Sequence, residues 1–294
     1  VSAADRLRRA AVVAAPFAWL FVFFLVPFLI VLKISLSEPT LGAPPYEPML
    51  RWAEETVLQV RISLASFDLL LGDSLYLDAY LGSLRIAAVS TVLCLLIGYP
   101  MALAIARARR TWRLVLLMLV ILPFWTSFLI RVYAWMGILR SNGVLNNLLL
   151  WLGLIDEPLR LLNTDVAVYL GVVYSYLPFM ILPLYAALEK LDDTLLEAAA
   201  DLGCRPWQAF LRVTLPLSAP GILAGSLLVF IPATGELVIP ELLGGPDTLM
   251  IGRVLWTEFS ANNDWPLASA VAVCLLVVLV LPMALFQTLR RREG

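Results

Sequence analysis

Few side chains in this sequence can carry covalent or acid–base chemistry. The 294 residues include no histidine, which removes the commonest general base and the commonest metal ligand. Cys94, Cys204 and Cys274 are widely separated and fit neither metal-ligand nor disulfide-framework spacing, so each reads as a small hydrophobe. The only lysines are Lys33 and Lys190, and neither follows a GxxxxG run; the chain lacks the phosphate cradle of a nucleotide hydrolase. No Ser–His or zinc pattern marks a membrane enzyme. We therefore expect no catalytic residue, no metal and no cofactor in this chain.

What remains is charge and aromatic chemistry in apolar surroundings. Arg131 and Glu236 lie in long apolar runs, where an ionised group is costly and usually faces a cavity or a partner. Two roles are open to Glu236: pairing with Arg131 or Arg85 to hold an outer gate, or facing a pathway and passing an ammonium group. Tyr133, Tyr174 and Tyr176 either offer ring faces to a cation or simply pack. Glu241 is a further candidate for the pathway or gate.

A polar insertion is the other chemical feature. It reads Glu197-Ala198-Ala199-Ala200-Asp201-Leu202-Gly203-Cys204-Arg205-Pro206 and runs on to Val213-Thr214-Leu215-Pro216. Residues 188–217 are too many for an idle connection between packed spans. Asp192, Asp193 and Thr194 are good helix N-caps, and residues 195–202 are helix formers. Gly203 allows a left-handed turn that ends this helix. Pro206 fits the first turn of a second one, whose apolar side is Trp207, Phe210 and Leu211. Ala198 and Ala199 permit close approach of another protein, and Glu197 offers a charge to a basic partner surface. An amphipathic hairpin lying on lipid is the alternative that the pattern alone leaves open.

The elements that position these residues are membrane spans. The chain is 61% hydrophobic and 15% charged, with mean hydropathy +0.89. Soluble domains are about half apolar and a quarter charged, so lipid is part of this chain's solvent. A helix needs about 20 residues to cross a ~30 Å hydrocarbon core. Six runs qualify, near 12–34, 80–106, 114–138, 165–188, 218–239 and 267–289. We expect an all-α integral membrane protein with one transmembrane domain over 1–294, an outer loop at 36–79 and the polar loop at 189–217. The first run follows Arg6, Arg8 and Arg9 as a secretory signal would, but it is long and has no small-residue cleavage site; it reads as a retained span.

Basic residues orient the spans. Arg6, Arg8, Arg9, Arg107, Arg109, Arg110, Arg113, Lys190, Arg205, Arg212, Arg290, Arg291 and Arg292 fall on one side, which is 13 of the 21 lysines and arginines. Arg51, Arg61, Arg140, Arg160 and Arg253 fall opposite, so both termini and the polar loop are expected in the cytoplasm. The outer segments are acidic, with Glu38, Glu47, Glu54, Glu55, Asp68, Asp73, Asp78, Asp156, Glu157, Asp165, Glu241, Asp247, Glu258 and Asp264. Such a face attracts cations, or serves only the solubility of exposed loops. A net charge of −1 gives no basic surface for nucleic acid. Pro27, Pro100, Pro123, Pro178, Pro183, Pro232 and Pro282 interrupt spans, and Gly221 and Gly225 suggest a close helix contact.

The insertion resembles the Glu-Ala-Ala loop of type I binding-protein-dependent ABC importer permeases at every fixed position, with Val213 where isoleucine is usual. The resemblance implies a MetI-like fold and a bacterial inner-membrane location. It implies that Glu197, Ala198, Ala199, Asp201, Gly203, Leu215 and Pro216 form a cytoplasmic coupling element that docks on a separate ATPase. It also implies partners: a homologous second permease, two ATP-binding subunits that hold ATP and Mg, and a periplasmic or extracellular substrate-binding protein. Almost the whole chain is similar to the polyamine branch, nearest to permeases of putrescine importers. The residues that carry this are Pro27-Phe28-Leu29-Ile30, the run from Pro123-Phe124-Trp125-Thr126-Ser127 through Arg131-Val132-Tyr133-Ala134-Trp135, Asn142-Gly143-Val144-Leu145-Asn146, and Gly235-Glu236-Leu237-Val238-Ile239-Pro240 with Glu241 to Pro246. The branch implies putrescine or spermidine as cargo. The alternatives are the same fold with another solute, such as sulfate, ferric iron or an amino acid, and a self-sufficient channel or secondary transporter. The latter leaves the polar loop unexplained and lacks an inverted repeat.

Overall fold

Apolar runs long enough to satisfy their own backbone hydrogen bonds dictate helices in lipid, and helices make up most of the chain. The computed structural model describes the backbone of residues 3–53 and 57–293 and the side chains of residues 12–49 and 61–280. Glu54, Glu55, and the side chains of Arg6, Arg8, Arg9, Arg51, Pro282 and Arg290, Arg291 and Arg292, lie outside the described residues. Helix α1 (Ala3–Leu20), a π turn (Phe21–Leu25) and α2 (Val26–Ser35) form one continuous path. The π turn lies just before Pro27, and the Val26 N–H reaches Phe21 O; a proline removes a helical donor and invites such an adjustment. A short antiparallel hairpin of β1 (Leu50–Ala53) and β2 (Val57–Val60) pairs Leu50 with Val60, and an isolated bridge joins Pro39 to Tyr46; both depart from the expected all-α chain. Then come α3 (Ala65–Gly72), α4 (Ser74–Arg107), α5 (Arg110–Ile121), α6 (Phe128–Leu139), α7 (Val144–Trp151) and α8 (Asp165–Leu188). The polar loop forms α9 (Asp193–Asp201), α10 (Pro206–Ala209), a π turn (Phe210–Thr214) and α11 (Leu215–Leu217). Helices α12 (Ala219–Thr234), α13 (Val238–Leu243), α14 (Ile251–Ser260) and α15 (Trp265–Glu293) complete the chain.

Three apolar stretches run unbroken, Val12–Ser35, Ser74–Arg107 and Asp165–Leu188; the apolar part of α15 is Trp265–Val280. The runs expected at 114–138 and 218–239 are not simple spans. The first breaks after α5: Leu122–Trp125 is a 3₁₀ turn around Pro123, and the chain bends by 90° between Arg110–Trp125 and Phe128–Trp151. Pro123 cannot donate to the helix above it, and its own carbonyl is satisfied by the Thr126 hydroxyl at 2.8 Å. The second run leaves the helix at Gly235 and resumes as α13, with a further bend of 64° where α11 meets α12.

The chain divides into two compact units, Val1–Leu77 with Val254–Gly294, and Asp78–Arg253. In the first, α15 packs on α2 and α3, and Asp264 caps α15 by accepting the Leu267 N–H at 2.9 Å. None of the first span's apolar window is buried. In the second, α12 lies along α8 at a distance only glycine allows. A Cβ at Gly221 would sit 2.6 Å from Ala187 Cβ and 2.8 Å from Pro183 O, and one at Gly225 2.8 Å from Met180 Sδ. Around this contact Met180, Ile181, Leu184 and Val229 form one core cluster with Tyr99. Val168, Val172, Ile239 and Leu243 form another with Met250.

Candidate functional site

The polar loop is folded into short helices whose caps follow from its residue types. Asp192 Oδ1 accepts the Thr194 N–H at 3.0 Å and starts α9. This bond holds the exposed Asp192 carboxyl below its ordinary value, because accepting hydrogen bonds favours the charged form. Helix α9 ends with Gly203 at φ 79°, while the Cys204 N–H reaches back to Ala199 O at 2.9 Å; only glycine takes that backbone conformation without strain. At the start of α10 the Arg205 N–H donates to Gln208 Oε1 at 2.9 Å. Glu197, Ala198, Asp201, Gly203 and Pro216 are exposed, Leu215 is half-buried, and Ala199 is buried within the chain. So Ala199 packs the loop, and Ala198 and Ala200 are left at its surface. Trp207 and Leu211 face outward, but Phe210 turns inward and meets Tyr99 edge-on at 5.6 Å. The Tyr99 hydroxyl is 2.8 Å from Ser218 Oγ, which fastens the end of the loop to α4.

The second group of candidates lies around the unwound segment between α12 and α13. Glu236 is 8% exposed. Its Oε2 accepts from the Tyr176 hydroxyl, and its Oε1 accepts the N–H groups of Val238 at 3.0 Å and Ile239 at 3.4 Å. The carboxylate therefore caps α13. Of the two roles open to Glu236, pairing with Arg131 or Arg85 is not what the structure shows. Arg85 is exposed. Arg131 is 9% exposed and places its guanidinium 5.1 Å from the Phe124 centroid and 5.7 Å from that of Phe128. Its Nε and Nη1 have no hydrogen-bond partner. Cation–π attraction in a low dielectric takes the place of an ion pair. Tyr174 meets Trp135 at 5.4 Å, and Tyr133 is exposed, so neither joins Glu236; of the three tyrosines only Tyr176 does.

Several acidic residues read from the sequence as an outer face are engaged internally. Glu258 is buried between the Tyr76 hydroxyl at 2.9 Å and Asn262 Nδ2 at 2.7 Å. Glu241 pairs with Arg253 at 2.7 Å, and Asp165 accepts the Thr248 hydroxyl at 2.7 Å. Of these three, only Glu241 is neutralised by an opposite charge; Glu258 and Asp165 accept from neutral donors, which orient their carboxyl groups without cancelling a charge. Sequence reasoning missed one contact beside the polar loop altogether, the 2.7 Å ion pair of Arg113 with Glu189. Arg113 entered only as an orienting charge, and 76 residues separate the partners.

Residues 95–293 match the family described as binding-protein-dependent transport system inner membrane component. The chain is 43% identical over 269 residues to the spermidine/putrescine transport system permease protein PotB of Haemophilus influenzae, covering 92% of this chain and 89% of that one. It is 45% identical over 214 residues to PotB of Escherichia coli K12, covering 73% and 78%. The inner membrane ABC transporter permease protein YdcU of the same organism is 34% identical over 242 residues, covering 78% and 76%. A crystal structure of a bacterial ABC transporter involved in the import of the acidic polysaccharide alginate aligns with TM-score 0.69 and 20% identity, over 98% of each chain. That likeness establishes the fold, a MetI-like permease fold.

Proposed function

This chain belongs to the binding-protein-dependent transport system inner membrane component family, as the permease subunit of an ABC importer, and we propose that its cargo is a polyamine, putrescine or spermidine. The observation that carries the cargo is the 43% identity to PotB along 92% of the chain; the alginate transporter supports the fold only. In this reading the loop of α9 to α11 docks on a separate ATP-binding subunit through Glu197, Ala198, Asp201 and Gly203, with Leu215 and Pro216 fixing its return to the membrane. Ala199 supports that surface from beneath. ATP and Mg sit in two such subunits, a homologous second permease completes the pathway, and a substrate-binding protein delivers cargo from outside. The basic bias of the N-terminus, the 107–113 link, the loop and the C-terminus supports a cytoplasmic position for all of them.

Glu236 and Tyr176 are the proposed pathway residues. A buried carboxyl group held by one hydroxyl and two amides is fixed in place in an apolar setting and can receive an ammonium group. Arg131 and Glu241 belong to the gate, Arg131 as an uncompensated cation held on aromatic faces. Tyr133 and Tyr174 stand further from the carboxylate and contribute packing or surface.

The test is uptake by the reconstituted four-component complex in proteoliposomes. Labelled putrescine or spermidine should enter only with ATP and the binding protein, and each should compete with the other. Entry of sulfate, ferric iron or an amino acid, uncompeted by polyamines, would assign a different cargo. Entry without the ATPase would sink the importer mechanism. Glu236→Gln should lower polyamine uptake while the ATPase subunit remains bound; unchanged uptake removes Glu236 from the pathway.

A further inference from the structure

We propose that Arg113 is a positioning residue for energy coupling, a brace that ties the entry of the polar loop to α4 and α5 so that movement of the loop moves those helices too. This rests on the coupling-loop reading above, and its test on the polyamine cargo proposed there. A loop that only continues α8 and precedes α12 passes a push directly to those two helices. Arg113 adds a second route. Its Nη1 donates to Glu189 Oε1 at 2.7 Å, at the end of α8, and its Nη2 donates to Ala106 O at 2.6 Å, in the last turn of α4. Arg113 itself lies in the first turn of α5. One planar guanidinium thus holds three elements in a fixed relation, through charge-assisted bonds stronger than neutral ones.

The exit of the loop is fastened to the same helix α4. Tyr99 receives the edge of Phe210 at 5.6 Å and bonds Ser218 at 2.8 Å. Both ends of the loop therefore grip α4, seven residues apart at Tyr99 and Ala106. Between the grips lies a cavity of about 230 Å³ lined by Arg107, Arg113, Glu189, Asp193 and Thr214 among others. Arg113 Nε and Thr214 Oγ1 are buried and without a partner. An unmade buried hydrogen bond is costly. Both residues line the cavity, so these two groups can take new partners when the loop shifts. The brace is stiff where it is bonded, and it has room and unused hydrogen-bonding capacity where it must shift.

The experiment compares variants of the complete complex in proteoliposomes, reading three quantities: ATPase subunit retained, ATP hydrolysed with loaded binding protein, and labelled polyamine imported per ATP. Loss of a charge-assisted contact, worth about one factor of ten, should cut the import per ATP of Arg113→Ala at least about fivefold while the ATPase subunit stays bound. Glu189→Gln should fall in the same direction by less, and serves if Arg113→Ala does not assemble. Glu197→Arg, on the outer face of α9, should instead release the ATPase subunit. If Glu197→Arg keeps that subunit bound, the coupling-loop reading fails. If Glu197→Arg releases it and import per ATP stays within fivefold of wild type in Arg113→Ala, the brace alone fails. Release of the ATPase subunit by Arg113→Ala and Glu189→Gln alike also overturns the brace, since the pair would then serve docking.

Discussion

Glu236 and Arg131 are both buried ions in an apolar unit, yet their surroundings predict opposite responses to substitution. Glu236 has three donors, from Tyr176, Val238 and Ile239. Removing the hydroxyl in Tyr176→Phe leaves a buried carboxylate oxygen short of a partner, at a cost of about 1–3 kcal/mol. The thermal midpoint of the purified complex should fall, and an unchanged midpoint would mean that Glu236 finds another donor. Arg131 has two unpartnered nitrogens and two aromatic faces. Replacing a poorly compensated buried charge by an apolar side chain of similar length is often neutral or stabilising. Arg131→Met should therefore keep or raise the midpoint, and a marked fall would show that the guanidinium is better compensated than its contacts indicate. The presence of both charges was legible in the sequence, because ionisable residues stand out in apolar runs. Their partners were not: Tyr176 is 60 residues from Glu236, and Arg131 lies against the rings of Phe124 and Phe128 rather than a carboxylate.

Helices α8 and α12, and the loop elements, carry their own tests. Gly221 faces Ala187 and the Pro183 carbonyl with no space for a Cβ, and overpacking a close contact costs about 1–3 kcal/mol. Gly221→Ala should thus destabilise the complex in detergent, whereas Gly153→Ala, with open space around it but φ 65°, probes backbone strain without crowding. The turn at Gly203 combines positive φ with open space, so Gly203→Ala tests conformation alone, at roughly 1–2 kcal/mol. The N-cap Asp192 adds pH dependence. Its carboxyl is held below the ordinary value in the fold. Its contribution is therefore complete above the unfolded carboxyl's pKa and is lost as pH falls through the lowered one. The protection of the α9 amides relative to their intrinsic exchange rates should fall on acidification, and Asp192→Asn should flatten that response. Caps and glycines of this kind were readable because they act within a few residues. The break in the run at 114–138 was not. A proline inside an apolar run permits a kink, a broken helix or a straight span, and the outcome depends on Thr126 and Ser127 adopting extended backbone angles.

At the scale of the molecule, apolar length made the spans legible and charge bias suggested their direction, while tertiary partnering decided which charges stay free. Glu258 illustrates the limit: in the sequence it is one acid among many outside, but it lies buried against Tyr76, 182 residues away. The same limit applies less to the basic residues, because orientation depends on how many lysines and arginines flank each span rather than on whom they contact. The direction of the Asp78–Arg253 unit can therefore be tested by access alone. With Cys94, Cys204 and Cys274 replaced by serine, a cysteine at Leu202, whose side chain is 86% exposed, should react with a membrane-impermeant maleimide only from the cytoplasmic side. A cysteine at Trp151, 80% exposed, should react only from outside. Both sites lie in the same unit, so their opposite access reads its orientation without reference to the other. Labelling of Leu202→Cys in intact spheroplasts would invert the proposed topology and remove the loop from reach of an ATPase. Labelling at the expected side fixes the premise on which the docking of Glu197 and the brace of Arg113 both depend.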